Sequence, residues 1–370
     1  MPSTETDARS KSQTSRERSL TIRDNIANED IQFICSSCRN ELNQLKGKRL
    51  MITGGTGFVG RYLVESVLEF NSKNRNKCHI LLPVRDPRKA RCIFGERLEA
   101  GDAALIQWHE VGSSLAQEKR CDYIIHAASP SDPREYLKDT KKTIEEIVNL
   151  TQSIVDYAVS ADSRRLLYVS SGAVYGKVPA GLDRIPEDYP GAPDTTSPSS
   201  CYGEAKRFSE MLCSTSGVDT VIARLFSFIG IYQDPQSSFA IPDFIRQAME
   251  SSVIRVHGDG TQVRGYCYAS ELSIMLWKLL LGRPSERVYN VGSDRFVIDI
   301  KSLAQLIADM LGSITVIVEG NEKESVNRVT ADRYVPNMDR MRRIYEPSIN
   351  IKESLERTTC SLQSRTGHIR

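Results

Sequence analysis

From Arg49 onward, short apolar runs alternate with segments of helical spacing. RLMITGG (49–55) is a β-rich run ending in glycines, and FVGRYLVESVLEF (58–70) then places Val59, Leu63, Val67 and Phe70 on one helical face. CHILLPV (78–84) and CDYIIHAAS (121–129) read as buried strands, and EEIVNLTQSIVDYAV (145–159) as a helix. RLLYVSSGAVY (165–175) reads as a strand, CYGEAKRFSEMLCST (201–215) as a helix and VDTVIARLF (218–226) as a strand. This alternation predicts a doubly wound α/β fold, a parallel sheet with helices on both faces. After Ile231 the rhythm fades, and helical segments at 239–251 and 301–312 with short strands predict a smaller, partly interleaved C-terminal lobe.

The expected organisation follows from these breaks. Residues 1–20 are polar and predict a disordered tail, and 21–48 a helical extension. Residues 49–230, with 265–297 contributing, predict the main α/β domain, on which the glycine turn described below bears. Residues 231–264 and 298–358 predict the second lobe, and 359–370 a C-terminal tail.

Charge and cysteine content narrow the class. The 49 basic and 47 acidic side chains nearly cancel, with no concentrated basic face, so no nucleic-acid partner is expected. The longest apolar run, Ser273 to Gly282, contains Lys278 and is too short to span a bilayer, so no membrane partner is expected. No apolar leader region opens the chain, and nine cysteines without a framework spacing read as reduced thiols of a cytoplasmic protein. Cys35 and Cys38 form a lone CxxC far from the scattered histidines, so no metal site is expected.

Two constellations carry chemistry. The turn from Thr53 to Gly60 spaces Gly54, Gly57 and Gly60 three apart between a strand and a helix. Such a turn lets backbone approach a pyrophosphate and offers it unpaired helix N–H groups, here through Thr56, Gly57, Phe58, Val59 and Gly60. At the end of the second strand an acid would bind the ribose hydroxyls of NAD and an arginine the 2′-phosphate of NADP. Arg85 and Asp86 offer both; Arg85 comes first and slightly favours NADP, and a solvated turn pair is the plain structural alternative. Further on, Tyr202 and Lys206 stand four residues apart, on one helical face. A neighbouring ammonium stabilises a phenolate and makes it a base able to take a carbinol proton while hydride leaves. His126 reads as a core histidine, and Trp277 as packing within the second lobe.

TGGTGFVG, HAAS, SSGAVYG and YGEAK, in this order, resemble the extended short-chain dehydrogenase/reductases of the nucleotide-sugar epimerase/dehydratase branch, over about 49–358. The resemblance implies a Rossmann domain with NAD or NADP, a lobe that grips a nucleoside-diphosphate sugar, and a homodimer formed through a helix bundle. It implies that Ser171, Tyr202 and Lys206 are catalytic and that Lys206 also binds the nicotinamide ribose. By the same likeness Glu110 and Val111 stand where Asp-Val contacts adenine, Ala127, Ala128 and Ser129 line the cofactor and substrate, and Arg264 meets the diphosphate. Arg333 is a weaker second phosphate contact, and Ser227 replaces an asparagine that touches phosphate. Asp243 stands where many epimerases present an asparagine. Many members carry an Asp-Glu pair directly after the catalytic serine or threonine, and those acids eliminate water in 4,6-dehydratases; here Gly172 and Ala173 occupy the positions. The implied activity is C4 epimerisation through a 4-keto intermediate, with a 4-ketoreductase or a non-catalytic NADP-binding regulator as alternatives.

Overall fold

The structure is a computed structural model that describes residues 24–98, 103–107, 120–179, 181–320 and 332–366. Its centre is an all-parallel seven-stranded sheet built from β1 (Arg49–Thr53), β2 (His79–Val84), β3 (Ala103–Gln107), β4 (Tyr123–His126), β5 (Arg165–Ser171), β6 (Thr220–Leu225) and β10 (Val288–Val291). The order is β3-β2-β1-β4-β5-β6-β10. Successive strand residues enter opposite cores. Leu50, Ile52, Ile80 and Leu82 face one side, while Met51, Leu81, Leu166 and Tyr168 face the other. Burial on both faces explains why these strands read as unbroken apolar runs. The chain reverses direction across the sheet between β1 and β4, and folds of this topology bind their ligands beyond the strands' C-terminal ends at that point.

The Thr140–Ser160 and Cys201–Thr215 helices cover the second face through Ile154, Val155, Tyr157 and Cys213. The Phe58–Ser72 and Ala269–Leu281 helices cover the first. An outer layer, helix 24–37 followed by Arg39–Leu42, inserts Ile31, Ile34, Cys38 and Leu42 into that first core. The Phe58–Ser72 helix is therefore buried on more than the one face its spacing predicts, and Glu65 and Ser66 are buried with it. Trp277 lies in this same core and donates from Nε1 to Ser66 Oγ at 3.0 Å, so it packs on the main sheet rather than within the second lobe. The Cys35 and Cys38 thiols contact the carbonyls of Ser66 and Ile274, and burial pushes both up to about 12.

The second lobe has its own core around Ile241, Phe244, Ile245, Leu303, Ile307 and Leu355. In it β9 (Val263–Tyr268) pairs with β7 (Ser227–Ile229) and β13 (Arg333–Tyr334) in parallel and with β11 (Val297–Asp299) antiparallel. A separate parallel pair joins β8 (Val253–Val256) to β12 (Thr315–Val318). Two expected boundaries are corrected. β7 and β9 lie in the small sheet although 227–230 and 265–268 were assigned to the main α/β domain, because β9 is the hub on which the lobe's strands pair. Residues 359–366 are not a tail. The Ile351–Thr366 helix runs through them, burying Leu362 in the lobe core, and Ser361 Oγ donates to the Ile231 carbonyl at 2.8 Å. No helix among the described residues is long and apolar enough to cross a membrane.

Candidate active site

β1 ends at Thr53 and the chain turns through Gly54 with φ +73°, left-handed backbone that suits glycine. A Cβ on Gly54 would come within 2.9 Å of the Ala127 carbonyl and the Ala128 nitrogen, and one on Gly60 would fall on the Gly54 carbonyl. The helix thus packs tightly on its strand, and the turn on the segment after β4. At Gly57 a Cβ would meet only the Gly54 oxygen, at 3.1 Å, so its absence leaves open space before the helix N-terminus. No side chain caps that terminus. An uncapped helix end with a bare glycine fits a pyrophosphate, so Gly57, Phe58, Val59 and Gly60 are suited to hold a dinucleotide there, beside Thr56.

Thr53 organises the opposite wall. Its Oγ1 accepts from the Ala127 and Ala128 N–H groups at 3.1 Å each, so its own proton goes to His126 Nδ1 at 2.7 Å. His126 Nε2 then donates to Thr151 Oγ1 at 3.1 Å, whose proton is given to the Ile147 carbonyl. The network fixes one neutral tautomer, and burial, with Lys206 nearby, pushes the imidazole down to about 3. His126 is a scaffold that holds the Ala127–Ser129 turn. Sequence reasoning left out Thr53, whose place at a strand end next to Gly54 was the available signal.

At the end of β2 the two candidate ribose ligands have different occupations. Asp86 caps the Pro87–Phe94 helix, accepting from Arg88 and Lys89 N–H at 2.8 and 3.2 Å. Arg85 reaches Glu146 at 3.2 Å, both side chains well exposed. Glu110 and Val111 lie outside the described residues.

The chemical centre forms where β5 meets the Cys201–Thr215 helix. Ser171 ends the strand, and its Oγ accepts from Ala173 N–H at 3.1 Å, capping the turn Gly172–Tyr175. The Tyr202 phenol lies within hydrogen-bond reach of the Ser171 and Ser129 hydroxyls, and its ring stacks on Tyr136 at 5.1 Å. Burial pushes this phenol up to about 12, outweighing the lowering by the two hydroxyls. The expectation that Lys206 directly lowers it is not met. Lys206 Nζ donates to the Val169 carbonyl at 2.9 Å and sits 5.9 Å from the Tyr202 ring centroid, nearer the Tyr168 ring at 4.9 Å. That ammonium is 2% exposed, and burial pulls it down to about 7. A one-turn spacing puts both residues on one face, while the strand carbonyl decides where the ammonium rests.

The second lobe contributes Arg264 and Tyr334. Arg264, on β9, donates to the Val263 and Asp332 carbonyls at 3.0 and 3.2 Å, pairs with the Asp332 carboxylate, and lies over the Tyr334 ring. Arg333 instead faces outward to Asp183, at 3.5 Å. Ser227 opens β7, half-buried. Asp243 is held by Arg246 and Gln247, and Glu204 pairs loosely with Arg207 at 3.9 Å, so both carboxylates are engaged on their own helices. Tyr334 is the residue the sequence reading missed. Its hydroxyl donates to the Leu225 carbonyl at 3.4 Å and lies against Gly172, next to Ser171, and its ring packs on Phe226 at 4.6 Å. Neighbours on a strand face opposite ways, so an outward Arg333 implies an inward residue 334.

The sequence pattern of the NAD dependent epimerase/dehydratase family matches residues 50–292. UDP-glucuronic acid decarboxylase 1 of Xenopus tropicalis is 28% identical over 346 residues, covering 88% of this chain and 75% of that protein. UDP-glucuronic acid decarboxylase 6 of Arabidopsis thaliana is 30% identical over 264 residues, covering 70% and 73%. The crystal structure of UDP-glucose 4-epimerase from Thermotoga maritima, with UDP-glucose, superposes with a TM-score of 0.70 at 17% identity, covering 86% of this chain and 99% of that one; it shares the fold. The glycine turn, the Ser171–Tyr202–Lys206 cluster and these matches converge: the chain belongs to the NAD dependent epimerase/dehydratase family.

Proposed function

We propose that the protein oxidises and re-reduces C4 of a nucleoside-diphosphate sugar without net consumption of its NAD or NADP, and that the outcome is C4 epimerisation. The observation that carries this reading is a phenol, Tyr202, in reach of two hydroxyls, Ser171 and Ser129, at the sheet's switch point. Once ionised, Tyr202 takes the proton of the C4 hydroxyl as C4 becomes a ketone, and returns it on reduction. Ser171 and Ser129 hold the same oxygen, and Lys206 places a buried amine close by, whose charged form its burial disfavours. The nicotinamide, when bound, supplies the hydride acceptor and donor. Arg264 suits the diphosphate, because a guanidinium fork matches paired anionic oxygens. Gly172 and Ala173 supply no acid or base beside Ser171, so elimination of water is not expected. Reduction of a nucleotide-linked 4-keto sugar and pure NADP sensing use the same pocket and are outcomes of the test below.

A second reading is favoured by the likeness to UDP-glucuronic acid decarboxylases. In a uronic acid, a C4 ketone stands β to the C6 carboxylate, so oxidation by the same residues would release carbon dioxide before re-reduction. Incubation with UDP-, dTDP-, CDP- and GDP-hexoses and with UDP-glucuronic acid, followed by product mass and chromatography, separates these. An isomer of unchanged mass supports epimerisation, loss of carbon dioxide the second reading, net gain of two hydrogens by an added 4-keto sugar with NAD(P)H the ketoreductase, and no product in any arm NADP sensing. Loss of water would contradict both main readings.

A further inference from the structure

After β4 the chain runs from Ser129 to Asp139 as a strap that leaves the sheet's switch point and enters the Thr140–Ser160 helix. None of residues 131–139 is buried, so apolar packing gives the strap little hold. Its ends are tied within the first domain. Ala127 and Ala128 N–H donate to Thr53 Oγ1, and the Tyr136 carbonyl accepts from Thr143 Oγ1 at 3.0 Å. Its middle is tied across to the second lobe. One oxygen of the Asp132 carboxylate accepts from Ser238 Oγ at 2.6 Å and the other from Ser238 N–H at 3.0 Å, while Arg134 donates to the Gln236 carbonyl. Ser238 stands just before the Ala240–Ser251 helix, whose Ile241, Phe244 and Ile245 lie in the lobe's core.

The strap also passes Tyr202. Its helical turn Pro133–Tyr136 ends on Tyr136, whose ring stacks on Tyr202 with the planes 13° apart. Asp132 starts that turn by accepting from Arg134 N–H at 2.9 Å, and it pairs with the Arg134 guanidinium at 3.1 Å. One carboxylate thus fixes both the turn and its attachment to the other lobe. Although burial opposes ionisation, the bonds from Arg134 and Ser238 hold this carboxyl well below the usual carboxylate range, so the tie is charged at neutral pH. We propose that Asp132 is a positioning residue that latches the two lobes: its bonds to Ser238 hold the strap against the second lobe and so retain a nucleotide sugar bound beside Tyr202. This rests on the role given above to Tyr202.

Asp132→Asn keeps one oxygen to start the helical turn, but replaces the other with a donor that cannot accept from Ser238 N–H or from Arg134. With UDP-glucose or UDP-glucuronic acid, whichever the wild type turns over, KM should rise about 3- to 10-fold with kcat within about twofold, because the latch retains substrate and moves no proton. NAD affinity, measured by calorimetric titration, should stay within about twofold. The Asp132→Ala/Ser238→Ala double variant should be no worse than Asp132→Ala alone, since both changes act through one contact. An unchanged KM, a fall confined to kcat, or losses that simply add would overturn the inference. Should neither sugar be turned over, the functional reading fails, and the sugar-free, NAD-loaded protein still decides the latch. Amide exchange over 131–139 and at Ser238 should quicken about 3- to 10-fold in Asp132→Asn and stay unchanged in the Cys201–Thr215 helix. Unchanged exchange over the strap, or the same quickening in that helix, would overturn the inference.

Discussion

In the mechanism proposed above, Tyr202 is the residue on which the chemistry turns. Tyr202→Phe keeps the ring that stacks on Tyr136 and removes only the hydroxyl that moves a proton. Turnover should fall by about 10²- to 10⁴-fold with cofactor affinity nearly unchanged, measured by product formation and by calorimetric titration of NAD. Arg85 poses a different question. If it meets a 2′-phosphate, Arg85→Ala should weaken NADP by about 1.5–3 kcal/mol and leave NAD almost untouched; equal losses would mean that it does not meet that phosphate. At this scale the sequence was informative where spacing is local. Glycines three apart and a Tyr–Lys pair one turn apart carry their geometry with them. Tyr334 was illegible because its strand has two residues and the residues it packs on, Leu225 and Phe226, lie far away in the chain. The resting place of Lys206 was illegible too, because the Val169 carbonyl that holds it belongs to another element.

At the scale of elements, helix 24–37 is held to the rest of the molecule through Asp30. This carboxylate, 1% exposed, accepts from Tyr268 and Tyr62 hydroxyls at 2.8 and 3.2 Å and pairs with Arg357 of the C-terminal helix at 3.2 Å. One side chain thereby joins the outer helix, the first sheet-covering helix, β9 and the last helix. Burial, opposed by these partners, raises Asp30 from 3.8 to about 7. In that window the folded state keeps a proton that the unfolded chain has lost, so this group's contribution to stability falls as pH rises from about 4 to 7 and levels off above. Thermal midpoints measured from pH 5 to 8 should therefore decline less steeply in Asp30→Asn than in the wild type; parallel curves would remove Asp30 from the pH dependence. The layer itself was expected as helical, but its docking was hidden, since the apolar residues Ile31, Ile34 and Leu42 reveal a partner face only once the Ala269–Leu281 helix is seen beneath them. The C-terminal helix is absent from the sequence reading, its last turns read there as a tail, because polar residues dominate its composition; Leu355 and Leu362 enter the lobe core and Ile351 packs at its edge.

For the whole molecule, the Thr140–Ser160 and Cys201–Thr215 helices pack side by side and leave Ile144, Phe208 and Met211 40%, 53% and 61% exposed on one flank. We propose that two copies meet there, as the homodimer through a helix bundle would require. Light scattering should give a dimer for the wild type and a monomer for Phe208→Glu/Met211→Lys, because burying charge in such a face is costly. A wild-type monomer would refute the dimer. The central claim, reversible redox at C4 with no elimination, is tested most directly with a nucleoside-diphosphate sugar carrying deuterium at C4. The account predicts that the product keeps the deuterium at C4, with no net accumulation of reduced nicotinamide. Deuterium found at C6 of a product that has lost water, or stranded on released cofactor, would contradict it.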